Sequence, residues 1–296
     1  MGLRVANGPV SWGVDVPNKV GVPPWEEVYT EMGQAGYRWC ELGPMGYLPA
    51  DDTVVRDGLR ARGLSVAGSH LYEPIHDRSR RDEVVEMTRR TCARIKGLGG
   101  TYLVIIDVVN DERGATAGRY DAARRLTGQA YLDMVDGMQT VAGIAADHGL
   151  VPVLHPHAGT FVEFEDEIEQ MLADTASDGM QLCIDTGHQA YAGIDPVALF
   201  VTHREHTPYL HLKDVNPVVL ARVRKEKISF FDAIPAGVFC PLGQGMVDFT
   251  ALAAELAKGF NGPGTVEQDR DVNAATTALQ DARASLDYLK TLGLAN

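Results

Sequence analysis

The chain is 296 residues long, 45% apolar and 23% charged, so it carries material for a large core and is neither a disordered nor a fibrous sequence. Forty Asp and Glu against 27 Lys and Arg give a net charge of −13, a field that repels nucleic acid and anionic membranes. No GxxxxGK[ST] loop is present to cradle a phosphate. The partner expected on these grounds is a small neutral or cationic molecule.

Eight short β-rich runs alternate with longer helical patterns, the signature of βα units that build a parallel sheet. The runs are LRVANG (3 to 8), YRWCELG (37 to 43), LSVAGSHLY (64 to 72), TYLVIIDVV (101 to 109), VPVLHPH (151 to 157), MQLCIDTG (180 to 187), YLHLKDV (209 to 215) and GTVEQD (264 to 269). After the fourth run, residues 120 to 149 repeat apolar positions at three and four and close on His148 and Gly149, predicting one long helix. Residues 216 to 246 hold a basic helix-like stretch and Gly/Pro punctuation, predicting an extended insertion. No low-complexity linker divides the chain, and no GxGxxG opens a helix, so a doubly wound dinucleotide fold is the weaker alternative. The expectation is a single (β/α)8 barrel over residues 1 to 296, with its active site at the C-terminal strand ends.

Cys40, Cys92, Cys183 and Cys240 are widely spaced and read as free thiols of a reducing, cytoplasmic protein. The N-terminal MGLRVANGPVSWG lacks an apolar signal core, and no apolar run approaches membrane-spanning length. Barrels of this kind also pair through their outer helices, so a homo-oligomer is compatible with the sequence.

The strand tips gather an unusual set of polar residues. They comprise Glu41, His70, Glu73, His155, His157, Asp185, His188, His211, Lys213, Asp214 and Glu267, and five of the nine histidines are among them. A lone histidine would be an ordinary hydrogen-bonded core residue. Imidazoles and carboxylates from several strands of one rigid barrel instead suit a divalent transition metal with open positions for substrate oxygens. Mixed N/O ligation suits Mn, Co, Fe or Zn better than Ca or Mg alone and leaves the choice among them open, with Mn or Co the ions to try first. His203 and His206, three apart, read as an outer solvated helix face, and His76 lies beyond the third strand without an assigned role.

The motifs NGPVSWG (7 to 13), ELGPMGYLP (41 to 49), YEPIHD (72 to 77), HPHAGT (155 to 160), CIDTGHQAYAGIDP (183 to 196), HLKDV (211 to 215) and FFDAIPAGVFCPLGQGMVDF (230 to 249) resemble the inosose dehydratase family. That family falls within the xylose-isomerase-like superfamily of sugar isomerases, epimerases and dehydratases. The resemblance spans nearly the whole chain. It implies a metal quartet at the tips of strands five to eight: His155, where the superfamily commonly has Glu, with Asp185, His211 and Glu267. His157 competes with His155, because residues two apart on a strand share a face.

The activity implied is dehydration of a keto-cyclitol such as 2-keto-myo-inositol. This chemistry needs a cation to hold the ketone or enediolate oxygen, a base for the α proton and an acid for the leaving hydroxyl. Proton transfer is expected from Glu73, His188 and Lys213, and substrate contact from Trp12, Glu41, His70, His157 and His188. A 3-keto-sugar or 3-keto-glycoside lyase, or a ketose epimerase or isomerase, would use the same enolisation. A catalytically silent binding subunit is disfavoured because the quartet is kept in type.

Overall fold

The computed structural model describes residues 2–271 and 274–295. Its centre is a closed parallel barrel whose strands are β1 (Arg4–Asn7), β2 (Trp39–Glu41), β3 (Ser65–Glu73), β4 (Tyr102–Asp107), β5 (Val151–Leu154), β6 (Gln181–Asp185), β7 (Tyr209–Leu212) and β8 (Pro263–Val266). The hydrogen-bonded order runs β1-β8-β7-β6-β5-β4-β3-β2 and closes on itself. Each strand is followed in sequence by an outer helix, namely α1 (Trp25–Ala35), α2 (Asp52–Ala61), α3 (Arg81–Gly97), α4 (Gly128–Asp147), α5 (Glu165–Thr175), α6 (Pro196–Thr202), α7 (Phe249–Leu256) and α8 (Ala278–Thr291). The barrel expected from the βα alternation is the barrel observed. Among the described residues, no helix is long and apolar enough to cross a membrane.

Strand alternation, shifted by one residue where β3 bulges opposite Cys40 and Glu41, divides the apolar residues into two cores. Leu71, Ile105, Leu154, Leu182 and Leu210 point outward against helix residues such as Met32, Ile95, Met138 and Leu286. Ala6, Ala67, Val104, Ile106, Val153 and Cys183 point inward and fill the lumen with Tyr209. Full burial of each large aliphatic side chain contributes roughly 1.5–3 kcal/mol. The helices start on capping residues. Asp51 accepts the Thr53 N–H before α2, Asp195 precedes Pro196 at the first turn of α6, and Thr277 and Gln280 cap each other at the start of α8.

Two expectations of local structure change. The helix predicted over residues 120–149 begins at Gly128; before it the chain forms a short helix, Asp111–Thr116, and a single turn at Tyr120–Ala122. The cause is tertiary: the Arg113 guanidinium and the Gly118 N–H are drawn to Glu163, and the chain between them follows. Gly149 ends α4 in the left-handed region as expected, at φ +67°. The seventh run is broken at Lys213, and Asp214–Val215 peels away to pair antiparallel with Phe239–Cys240. Asp214 turns out of the barrel and accepts the N–H groups of Gly243, Gly245 and Val247, so it anchors the returning loop. A side chain at Gly245 would collide with that carboxylate. The segment after β7 holds the helix-like stretch expected of it as two helices, Pro217–Glu226 and Phe230–Ala233, and is otherwise turns and loop.

Candidate active site at the barrel mouth

Register fixes the levels of the lumen. Asp185 of β6 pairs with His211 of β7, and Thr265 of β8 pairs with the same His211, so these three side chains stand at one height. One level below, the Tyr209 hydroxyl lies 2.8 Å from Glu41 Oε1 and 2.9 Å from Thr265. Glu41 Oε1 also accepts from His211 Nε2 at 2.8 Å. This contact puts the His211 proton on Nε2 and turns Nδ1 up toward the mouth. A carboxylate behind a ligating imidazole is the usual means of fixing its orientation and basicity.

The upward-facing atoms lack hydrogen-bond partners. Both ring nitrogens of His155, Asp185 Oδ2 and His211 Nδ1 are buried with no hydrogen bond directed at them. His155 Nε2 lies 3.4 Å from Asp185 Oδ2, and His211 Nδ1 lies 3.8 Å from that oxygen and 3.3 Å from Glu267 Oε2. One donor atom each from His155, Asp185 and His211 falls within a 4.8 Å span, and Glu267 adjoins the set through His211. Buried polar atoms normally find partners, so this convergence of orphaned donors fits a bound divalent cation. Asp185 divides its carboxylate between two tasks. Oδ1 accepts the Gly187 and His188 N–H groups at 2.8 and 2.9 Å and caps the helix Thr186–Ala192, while Oδ2 faces the other donors.

Electrostatics reinforce this division. Burial opposes the charge on Asp185, Glu267 and Glu41, but Lys213 beside Asp185, His211 and Lys213 beside Glu267, and His211 beside Glu41 outweigh it and hold all three carboxyls below the usual carboxylate range. Burial also opposes a positive His211, yet Glu267 and Glu41 on its two sides raise its pKa well above the ordinary value. The site therefore demands positive charge at Nδ1, a place a metal takes by displacing the proton. Burial lowers the pKa of His155 and His188, and takes His157 down to about 3, so these rings are neutral.

Lys213 stands beside the donors, fully enclosed. Its ammonium is 2.9 Å from Asp269 Oδ2, 3.0 Å from His188 Nε2, and 3.2 Å from both Asp185 Oδ2 and Glu267 Oε2. Burial disfavours its charge, but the three carboxylates more than compensate and raise its pKa. Gly187 permits the approach, because a Cβ there would stand 2.6 Å from Lys213 Cγ. His157 stacks on His188 with ring centres 3.7 Å apart. The His157 Nδ1–H donates to the Ala158 carbonyl at 2.8 Å, which leaves Nε2 with a free lone pair.

Above this layer is a cavity of about 380 Å³, lined by His70, Tyr72, His155, His157, His188, Lys213, Glu267 and Asp269 on its polar side. Val10, Val14, Phe230, Phe231, Ile234 and Pro235 form much of the apolar side. Residues 230 to 235 come from the segment after β7, which thus supplies a wall. Asp15, Lys19, Arg270 and Asp271 also border the cavity.

Three residues expected at the substrate are placed elsewhere. Glu73 does not line the cavity. It is three residues from His70, and alternation sends it to the opposite face, so that Tyr72 occupies the wall in its stead. Trp12 is buried in a turn after β1, its indole N–H donating to Glu31 Oε2 at 2.7 Å, because the strand ends at Asn7 and the chain rotates through Pro9–Trp12. Glu41 points inward but lies a level too low, beneath His211. Lys213 pairs with Glu267 but not with Asp214, which faces its own loop. His76 binds the Asp107 carboxylate at 2.8 Å outside the cavity. His203 pairs with the exposed Glu169, consistent with an outer face. Asp269 was missed, although the two-residue step that carries His211 to Lys213 also carries Glu267 to Asp269.

This barrel, with imidazole and carboxylate donors at the C-terminal tips of strands five to eight, defines a class. The chain belongs to the xylose isomerase-like TIM barrel family, whose pattern matches residues 30–292. It is 31% identical over 275 residues to an inosose dehydratase of Geobacillus kaustophilus, covering 91% of this chain and 88% of that one. It is 32% identical over 284 residues to the rhizopine catabolism protein MocC of Rhizobium meliloti, covering 93% and 84%. Among solved structures, the IolI protein with a bound zinc atom superposes with a TM-score of 0.71 at 16% identity, covering 98% of each chain, a likeness of fold. Within the family the chain groups with the inosose dehydratases, and it is an enzyme of that hydro-lyase kind.

Proposed function

We propose that this chain is a divalent-metal-dependent dehydratase of a neutral keto-cyclitol, with 2-keto-myo-inositol as the first substrate to test. The observation that carries the reading is the set of orphaned donors on His155, Asp185 and His211, with the Glu267 carboxylate 3.3 Å from His211 Nδ1, at the floor of a cavity walled by imidazoles and a lysine. These four residues would hold the metal, which when bound supplies Lewis-acid polarisation of the ketone and acidifies its α carbon. Mn or Co remains the preferred ion on the mixed N/O donor set.

The protein's own groups carry the protons. His157 presents a free Nε2 lone pair to the cavity, held in that tautomer by Ala158, and takes the α proton, a weak base in the buried site that relies on an α carbon acidified by the ketone's polarisation. The Lys213 ammonium donates to the departing β hydroxyl, which leaves as water while the C–O bond electrons remain with that oxygen. The α C–H electrons become the new C=C bond. His188 sits against both His157 and Lys213 and fixes their separation, its Nδ1 taking the Ala158 N–H and its Nε2 lying 3.0 Å from the ammonium. His70 and Tyr72, the latter beside the His157 ring, border the cavity and orient the ring hydroxyls. We place the enzyme in a reducing cytoplasm on the strength of four free cysteines, three of them buried.

The test is an assay of metal-stripped protein reconstituted with Mn or Co, using 2-keto-myo-inositol and following the ultraviolet absorbance of the dione product. Metal-dependent product that EDTA abolishes is the expected result. Stoichiometric metal with no product moves the substrate to 3-keto sugars or glycosides, and solvent deuterium at the α carbon without elimination identifies an epimerase or isomerase.

A further inference from the structure

Lys213 raises a problem that the donor set alone does not solve. Its ammonium is 3.2 Å from Asp185 Oδ2 and 3.2 Å from Glu267 Oε2, two oxygens that the proposed metal site requires. A divalent cation and an ammonium drawn to the same two oxygens repel each other, most strongly in a buried site where water does not screen them. The Lys213 stem is packed against Gly187 and its ammonium lies 5.2 Å from the Phe239 ring centre, which holds it beside these oxygens.

Two of its contacts stand outside the donor set. His188 Nε2 lies at 3.0 Å on a ring that takes the Ala158 N–H on Nδ1 and offers the ammonium no negative charge, and Asp269 Oδ2 stands at 2.9 Å, the shortest of the ammonium's four approaches. That oxygen is buried and receives no directed hydrogen bond, so its interaction with Lys213 is chiefly one of charge. Asp269 also borders the cavity beside Arg270 and Asp271, on the stretch that follows β8.

We propose that Asp269 is a positioning residue: its carboxylate holds the Lys213 ammonium off the metal-ligand oxygens, so that cation and ammonium occupy the mouth together. This rests on the reading of His155, Asp185, His211 and Glu267 as metal ligands. Without Asp269 the ammonium has only Asp185 and Glu267 as anionic partners and competes with the metal for them. With it, Lys213 remains bound from behind and keeps an N–H for the substrate oxygen.

The experiment is a double-mutant cycle read by Mn²⁺ binding, with the free ion measured by electron paramagnetic resonance and no substrate present. Wild type, Asp269→Asn, Lys213→Met and the double variant are titrated, each checked for an unchanged melting transition. Asp269→Asn is expected to weaken Mn²⁺ binding about tenfold, the size typical of groups that support metal ligands. In the Lys213→Met background the same change is expected to have no effect, since the competing ammonium is gone. At saturating Mn²⁺, Asp269→Asn should also lower kcat about 10- to 100-fold with KM changed less than threefold, and Asp269→Glu should restore part of the loss. Wild-type affinity and kcat in Asp269→Asn overturn the proposal, as does a binding defect that persists without Lys213, which would make Asp269 a direct ligand. Failure of wild type to bind Mn²⁺ is seen before any variant is compared and overturns the metal reading along with the proposal.

Discussion

Two buried ionic clusters in this barrel are made from similar ingredients and finished differently. In one, Arg113 binds Glu163 at 3.1 Å and Glu167 at 2.7 Å, tying the helix Asp111–Thr116 to α5. Every carboxylate oxygen there is met: Glu163 also accepts the Gly118 N–H, and Glu167 accepts the backbone N–H groups of Glu163 and Phe164. In the other, His155, Asp185 and His211 keep buried atoms without hydrogen bonds, and a lysine is crowded among three carboxylates. A network whose anions are all met rigidifies a fold even where one guanidinium N–H, Arg113 Nε, is left without a partner, whereas unmet carboxylate and imidazole atoms lose stability that something else must restore when it binds. The contrast separates a structural ion cluster from a site.

Substitutions on the two sides should therefore divide stability from turnover. The largest effect is expected from Asp185→Asn, which keeps the helix-capping oxygen and removes the anion. Turnover should fall by at least about 10³-fold with loss of stoichiometric metal, while the melting temperature of the metal-free protein stays within about 2 °C of wild type. Full metal retention, measured by elemental analysis, would break the assignment. Arg113→Met comes next and should do the reverse. Uncompensated burial of its carboxylate partners should cost about 3–5 kcal/mol, seen in denaturant unfolding, with kcat per folded molecule unchanged. A selective loss of kcat there would remove the contrast.

His188→Ala sharpens the picture within the site. Metal content should be retained and kcat should fall about 10²-fold, because the ring touches Lys213 and His157 but is not in the donor set. Loss of metal in this variant would make His188 a ligand. The smallest effect concerns His76, whose pKa burial would lower but the Asp107 carboxylate raises overall. A raised folded-state pKa contributes stability that is fully present below about pH 6.5, the unfolded value, and that is lost as pH rises through the folded one. His76→Asn should lower the melting temperature by a few degrees at pH 5.5 and by less at pH 9, with turnover at neutral pH little changed. An equal loss at both pH values would show that the His76–Asp107 contact is not an ion pair.

Much of the fold was legible because its signals are local. Alternating apolar runs, capping residues such as Asp51 and Asp195, and the glycine after His148 act within a few residues of themselves. The break at residues 111–127 was not legible, since it depends on Glu163, about fifty residues away. In the site, the strand-tip residues from β5 to β8 could be named because the side-chain period of two holds within one strand. The same rule, applied from His70, excludes Glu73 and selects Tyr72, and applied from Glu267 it finds Asp269.

Sequence by itself determined which face of its own strand each of these side chains takes, because backbone geometry alternates them in any extended run. Tertiary structure alone decided their height in the lumen. Register between strands sets Asp185 level with His211 and drops Glu41 beneath it. Closing the barrel requires a stagger that no single strand encodes. The cavity wall was likewise a tertiary outcome, since Phe230 and Ile234 reach the mouth through a segment anchored by Asp214.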